Sequence, residues 1–327
     1  MKSDFGRSFG DFLKGWSCKC SVSKNAESKN DTLVTRHLSL VTRHLSLVTR
    51  HSSLVTRHLS LVTCHLSLVT CHLSLVTRHS SLVTRHLLNI QTMTKQEVLA
   101  ALEEMGTEQT KKTYTKHGAT GDFFGVKVGD LKKIQKKVKK NHPLALELFK
   151  TDNVDAMYLA GLIADEKVVT KKELDTWAKQ SNWYMISEFT IAWIAADSPH
   201  GWDMGLKWIK SKKENIASSG WATLASWISI KADDELELKE IEALLGKIEK
   251  EIHTAPNRVR YAMNGFVISV GSYIESLTEK AQATAKTIGK VEVFMGETSC
   301  KVPTAWDYIK KIKDEGRISK KRKMARC

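Results

Sequence analysis

Prolines are scarce, four in 327 residues, and no stretch approaches the roughly 18 uninterrupted apolar residues of a membrane span. The first scarcity disfavours a turn-rich β fold. The second, with a mean hydropathy of −0.29, argues against an integral membrane protein. An apolar export core is missing too, because Phe5, Arg7, Asp11 and Lys14 interrupt the start. Six cysteines, several of them inside a repeat, make no disulfide framework and read as reduced thiols of a cytoplasmic protein. Cys18-Lys19-Cys20 is no zinc pair, Cys300 and Cys327 lack ligand neighbours, and no phosphate-cradling glycine loop occurs. The expectation is therefore no metal and no nucleotide or other cofactor.

Acidic residues are also in deficit, 36 against 51 Lys and Arg, for a net charge of +15. The excess is segregated. Residues 1–92 hold 12 basic and 4 acidic side chains, and residues 301–327 hold 10 and 3. The intervening stretch is neutral overall, so its basic helix is balanced by acidic surface such as 235–251. Such a pattern suits a polyanionic partner.

From Leu33 to Leu88 one seven-residue unit, Leu-Val-Thr-Arg-His-Leu-Ser, recurs eight times and carries eight of the 12 histidines. A heptad coiled coil would seat Leu38 and Val41 in its seam, but Thr, Val, Ser and His are mediocre helix formers and Arg finds no acidic partner. A metal-binding histidine array would converge poorly at one His per two turns. A recent tandem expansion explains near-identical units best. Residues 1–92 are then a low-complexity extension, either disordered or a solitary helix. Met93 is expected to be the natural start, because Thr94 and Glu97 form a capping box ahead of an amphipathic run.

Beyond Met93 the pattern is helix after helix. Leu131, Ile134 and Val138 make an apolar stripe beside Lys132, Lys133, Lys136, Lys137 and Lys140, a row able to straddle a phosphate backbone or simply form a solvated face. Val154–Ala164 reads as a central apolar helix, and Thr170 with Glu173 gives a second capping box. Asn182 caps a run from Trp183 to Ala196, and further helices cover 198–210, 216–230, 235–252, 257–277 and 304–313. Period-two alternation is absent. The expected fold is all-α, a HEAT-like α-solenoid of antiparallel pairs over 93–300, followed at 301–327 by a short helix and a basic tail.

Seven of nine tryptophans fall between 177 and 227, and most, including Trp193 and Trp208, are expected in the core. Trp183 and Tyr184 differ, because Tyr184 shares a helix face with Glu188, the lone charge of its apolar run. Aromatic rings beside a carboxylate suit a planar cation such as an alkylated purine. The same carboxylate can stabilise an oxocarbenium-like transition state. The competing reading is a buried salt bridge from Glu188 to Arg258 or Arg260.

Three segments resemble one family. Phe123-Phe124-Gly125-Val126, running on to Leu131-Lys132-Lys133-Ile134, is similar to the opening of the bacterial AlkD-like DNA-alkylation-repair glycosylases. Asn182-Trp183-Tyr184-Met185-Ile186-Ser187-Glu188 resembles that family's active-site segment, and Asn257–Phe266 its later arginine-bearing helix. The resemblance runs from about Met93 to Tyr273. It implies a HEAT-like repeat solenoid with a cleft for double-stranded DNA and metal-independent excision of N3- or N7-alkylated purines. Carried onto this chain, it implies catalysis by Glu188, base contacts from Trp183, Tyr184, Phe266 and Trp221, and backbone contacts from the five lysines with Arg258 and Arg260. Glu188 stands where the family has Asp, Tyr184 and Phe266 where it has Trp, and Ala222-Thr223-Leu224 where a clamping Arg belongs. Such a protein would be a nucleoid-associated monomer that needs no membrane. A non-catalytic nucleic-acid-binding solenoid and a protein-binding helical scaffold are the alternatives.

Overall fold

The computed structural model describes residues 27–88 and 93–326, with side chains over 35–80 and 93–326. The readings made for Phe5, Arg7, Asp11, Lys14, Cys18, Cys20 and Cys327 lie outside the described residues. The chain divides into two units, Met1–Ile90 and Gln91–Cys327.

Among the described residues the first unit contains a single helix, α1 (Glu27–Leu88), so the repeat takes the helical one of the two options. Threonine is accommodated because each hydroxyl donates back to the preceding turn, as from Thr42 to the Leu38 carbonyl at 2.7 Å. The seam residues Leu38 and Val41 are 63% and 55% exposed. No long uninterrupted apolar run occurs in this helix, but an 18-residue window within Thr35–Ser80 reaches a mean hydropathy of 1.7, enough by length and composition alone to cross a membrane.

The second unit is built from α2 (Lys95–Met105), α3 (Glu108–Lys116), α4 (Val128–Val138), α5 (His142–Phe149), α6 (Val154–Ile163) and α7 (Lys171–Gln180). It continues through α8 (Ala192–Asp197), α9 (Gly201–Trp208), α10 (Glu214–Ile230), α11 (Leu238–Glu251), α12 (Asn257–Tyr273), α13 (Thr278–Ile288) and α14 (Ala305–Asp314). No strand occurs among the described residues; only an isolated bridge joins Asp122 to Asn153. Helices pack against near neighbours in the chain, α5 on α6, α9 on α10 and α13 on α14, and α10 also packs on α12. This is the HEAT-like α-solenoid that the sequence predicts.

Both capping boxes form as expected, at Thr94–Glu97 and Thr170–Glu173. All ten residues of α6 are buried, including Asp155. Its carboxylate accepts backbone N–H groups of Phe124, Gly125 and Val126 at 2.8, 2.9 and 3.1 Å, which explains why a Phe-Phe-Gly-Val loop precedes α4. Gly125 has φ +79°, and a Cβ there would stand 2.8 Å from the Thr107 carbonyl oxygen.

The basic tail is no loose end. Ser319 N–H donates to Ser272 O at 3.0 Å and Arg322 N–H to Ser229 O at 2.8 Å. Ala325 N–H donates to Asp197 at 2.7 Å. Residues 315–326 thus strap the ends of α12, α10, α8 and α6 together. We expect deletion of residues 1–92 to leave the melting temperature of the second unit unchanged within about 1 °C by calorimetry. A collapse of the transition would mean that the repeat helix supports the solenoid.

Candidate nucleic-acid interface

Glu188 lies in a π-helical turn, Met185–Ile191, that leads into α8, where the sequence predicts one uninterrupted α-helix. Thr190 is one anchor, its hydroxyl donating five residues back to the Met185 carbonyl at 3.3 Å. Wide turns of this kind are frequent at functional sites. The widened turn drives Glu188 inward, to 6% exposure.

There the carboxylate meets Arg258, from the first turn of α12. Arg258 Nε donates to Glu188 Oε1 at 2.8 Å, and Nη2 donates to Oε2, a bidentate fork. The guanidinium carbon sits 4.2 Å from the Tyr184 ring centroid and 4.4 Å from that of Tyr261. Nη1 contacts Met295 Sδ at 3.5 Å. The cation that the aromatic–carboxylate arrangement is suited to bind is already present, and it belongs to the protein. Burial pushes Glu188 up to about 7, against the pull of Arg258, and Glu214 pushes the same way as burial.

On the Arg258 side of this pair lies a cavity of about 290 Å³, lined by His117, Asn182, Trp183, Tyr184, Arg258 and Met295 among others. Trp183 Nε1 donates to the His117 carbonyl at 2.9 Å, and Tyr114 and Trp183 centroids are 5.0 Å apart. Trp183 is 7% exposed, so mainly an edge reaches the cavity. The loop before α14 closes one side. Asn257 Nδ2 donates to the Phe294 carbonyl at 2.8 Å, and Glu297 N–H donates to the Lys116 carbonyl at 2.8 Å. Gly296 is required at that crossing, since its φ is +76° and a Cβ would stand 2.1 Å from Lys116 O.

Several expected roles are corrected by this geometry. Trp221 and Phe266 are both fully buried, packed edge-to-face at 5.3 Å, and line no cleft. Apolar helical spacing in α10 and α12 puts both in the core. Arg258 is spent on Glu188 and does not face a DNA backbone. Arg260 is half-buried with an unbonded Nε. Lys140 lies beyond the end of α4 at Val138 and pairs with Asp165 at 3.7 Å and with Glu166, so it leaves the lysine row. Lys133 pairs with Asp130 at 2.7 Å. Lys132, Lys136 and Lys137 make no ion pair among the described residues and remain the candidate phosphate contacts of α4.

Tyr261, Met295, Glu214 and His117 belong to the site although the sequence reading passed over them. Tyr261 follows Arg258 by three residues on one helix face, a spacing that marks it. The others arrive from distant elements and leave no local signal. Among the described residues no group of three or more His, Cys, Asp or Glu side chains is placed to hold a metal.

Its stacked helix pairs place the second unit in the HEAT-like repeat class. The model of the DNA alkylation repair enzyme family matches residues 98–287, and the chain belongs to that family. An uncharacterized protein of Listeria innocua is 36% identical over 228 residues, covering 68% of this chain and 98% of its own. One from Listeria monocytogenes is 34% identical over the same coverage. A solved structure is similar at 37% identity and TM-score 0.67, covering 72% of this chain and 100% of its own. It is described as a new family of proteins related to the HEAT-like repeat DNA glycosylases with affinity for branched DNA structures.

A pH profile tests the buried pair. Burial opposes the Glu188 charge more than Arg258 supports it, so the folded carboxyl binds its proton more tightly than a free glutamate near 4.5. Unfolding above that value releases a proton, and stability falls as pH rises toward about 7. We expect chemical denaturation to show this decline in the wild type and its loss in Glu188→Gln.

Proposed function

We propose that this chain is a DNA-binding HEAT-like repeat protein that recognises branched DNA and leaves the glycosidic bond intact. The observation that carries this reading is the Arg258 guanidinium, held between Glu188 and the rings of Tyr184 and Tyr261. A cationic alkylpurine would have to displace a bidentate, charge-assisted pair from the same cage. The carboxylate that would face a developing oxocarbenium ion is already neutralised. Two further features support a retained binding role: the unpaired lysines of α4, and similarity to a structure described as having affinity for branched DNA.

The decisive comparison uses a four-way junction, a duplex of the same sequence and a duplex carrying 7-methylguanine. We expect tighter binding to the junction than to the duplex by at least ten-fold in fluorescence anisotropy. Affinity should fall with salt, and less steeply in Lys132→Ala/Lys136→Ala/Lys137→Ala. No free base should appear with enzyme in excess. Base release that disappears in Glu188→Gln would restore the glycosylase reading.

A further inference from the structure

A second cavity, of about 340 Å³, lies between the end of α12, the end of α14 and the tail strap. Ser269, Ser272, Tyr308, Arg317 and Lys320 line it, and none of these lines the Glu188 cavity. Ser272 is 5% exposed and its hydroxyl has no hydrogen-bond partner. Leaving a buried hydroxyl unsatisfied is unfavourable, so such a group points to a missing acceptor. Arg317 is held by Glu315 at 2.8 Å, while Lys320 makes no ion pair among the described residues. The surroundings are strongly basic, with eight Lys or Arg and two acidic residues between 310 and 323.

We propose that this cavity binds a backbone phosphate of a second DNA arm. Arg317 and Lys320 supply the positive charge and Ser272 a hydroxyl donor. The proposal rests on the branched-DNA reading above and deepens it. The lysine row belongs to α4, which packs into one core cluster, whereas α12 and α14 pack into the other. A branched substrate sends strands in divergent directions, so phosphate-binding places on separate parts of the solenoid select it over a single duplex. Lysine and arginine are also favoured at helix C-termini by the dipole alone, with no ligand involved. The test has to separate these two causes.

The full chain is titrated with the four-way junction and with the matched duplex at several salt concentrations, as wild type, Arg317→Ala/Lys320→Ala and Ser272→Ala. For the double variant we expect about a ten-fold loss on the junction, with a log–log salt slope shallower by roughly two, and less than a two-fold loss on the duplex. Ser272→Ala should weaken junction binding without lowering the melting temperature, an outcome that a merely structural serine would not give. Unchanged junction affinity in both variants would reduce the cations to helix-end capping and overturn the proposal. Equal losses on junction and duplex would overturn it as well, placing the cavity on the same arm as the α4 lysines. Saturable binding of inorganic phosphate by calorimetry, lost in the double variant while junction binding persists, would reassign the cavity to a free anion. Failure of the branched-DNA reading shows separately, as a wild type without junction preference, and takes the two-arm assignment with it.

Discussion

Arg258→Ala is expected to cost about 3–5 kcal/mol, because it strands the Glu188 carboxylate at 6% exposure without its partner. For a folded unit of this size that lowers the melting temperature by roughly 10 °C. Calorimetry of the variant is the direct measurement. The double replacement Glu188→Met/Arg258→Met supplies the control, since removing both charges together typically costs little and can stabilise. Recovery of most of the lost stability would show that the penalty lies in the orphaned charge. A single variant as stable as wild type would mean that water reaches the carboxylate. The Glu188 cavity would then be an open site and not a locked one.

Arg326→Ala should have a comparable effect at the other side of the solenoid. Its guanidinium is 8% exposed, donates from Nε to Asp197 at 3.1 Å and pairs with Glu166. Nη1 also reaches the carbonyls of Gly161, Leu162 and Ala164 at 3.3, 3.4 and 3.0 Å, so it closes the C-terminal end of α6. Truncation leaves Asp197, itself 7% exposed, with only the Ala325 N–H and frees carbonyls that pointed at a positive charge. We expect a loss of about 3 kcal/mol, read as a shift of the urea midpoint without a change of slope. A smaller slope would indicate that the strap detaches and frays before the solenoid unfolds. No change in midpoint would remove the strap from the folding unit.

The architecture was legible because the signals behind it are local. Capping boxes, the Leu131–Ile134–Val138 stripe and the apolar run of α6 each act within a few residues, and all appear where the sequence places them. Helix spacing also marked Trp193 and Trp208 as core. The π-turn was not legible, because wider winding leaves the apolar pattern of Trp183–Ala196 intact. The Glu188–Arg258 pair was one of two competing readings, since residues 70 apart in sequence meet only through packing of α10 against both α12 and the π-turn. Phe266 and Trp221 show the reverse error. Each matches a position at which the family resemblance suggests a base contact, yet both rings turn toward the interior of their own helix pair. The docking of the tail was not legible, because a run of basic residues carries no sign that a half-buried Asp and Glu await one of them.

Helix α12 begins after Pro256, which has no side-chain oxygen to offer, and its Arg258 N–H donates instead to the Glu214 carboxylate at 2.6 Å. That borrowed acceptor sits where an incoming anion would otherwise find free amide hydrogens. On the DNA-binding reading proposed above, a strand drawn to this rim would meet a fixed negative charge and be turned away from the helix end. Grip near the pocket would then come from long flexible cations, which tolerate many strand geometries. Such a surface would discriminate by the layout of a substrate and not by the identity of any one base.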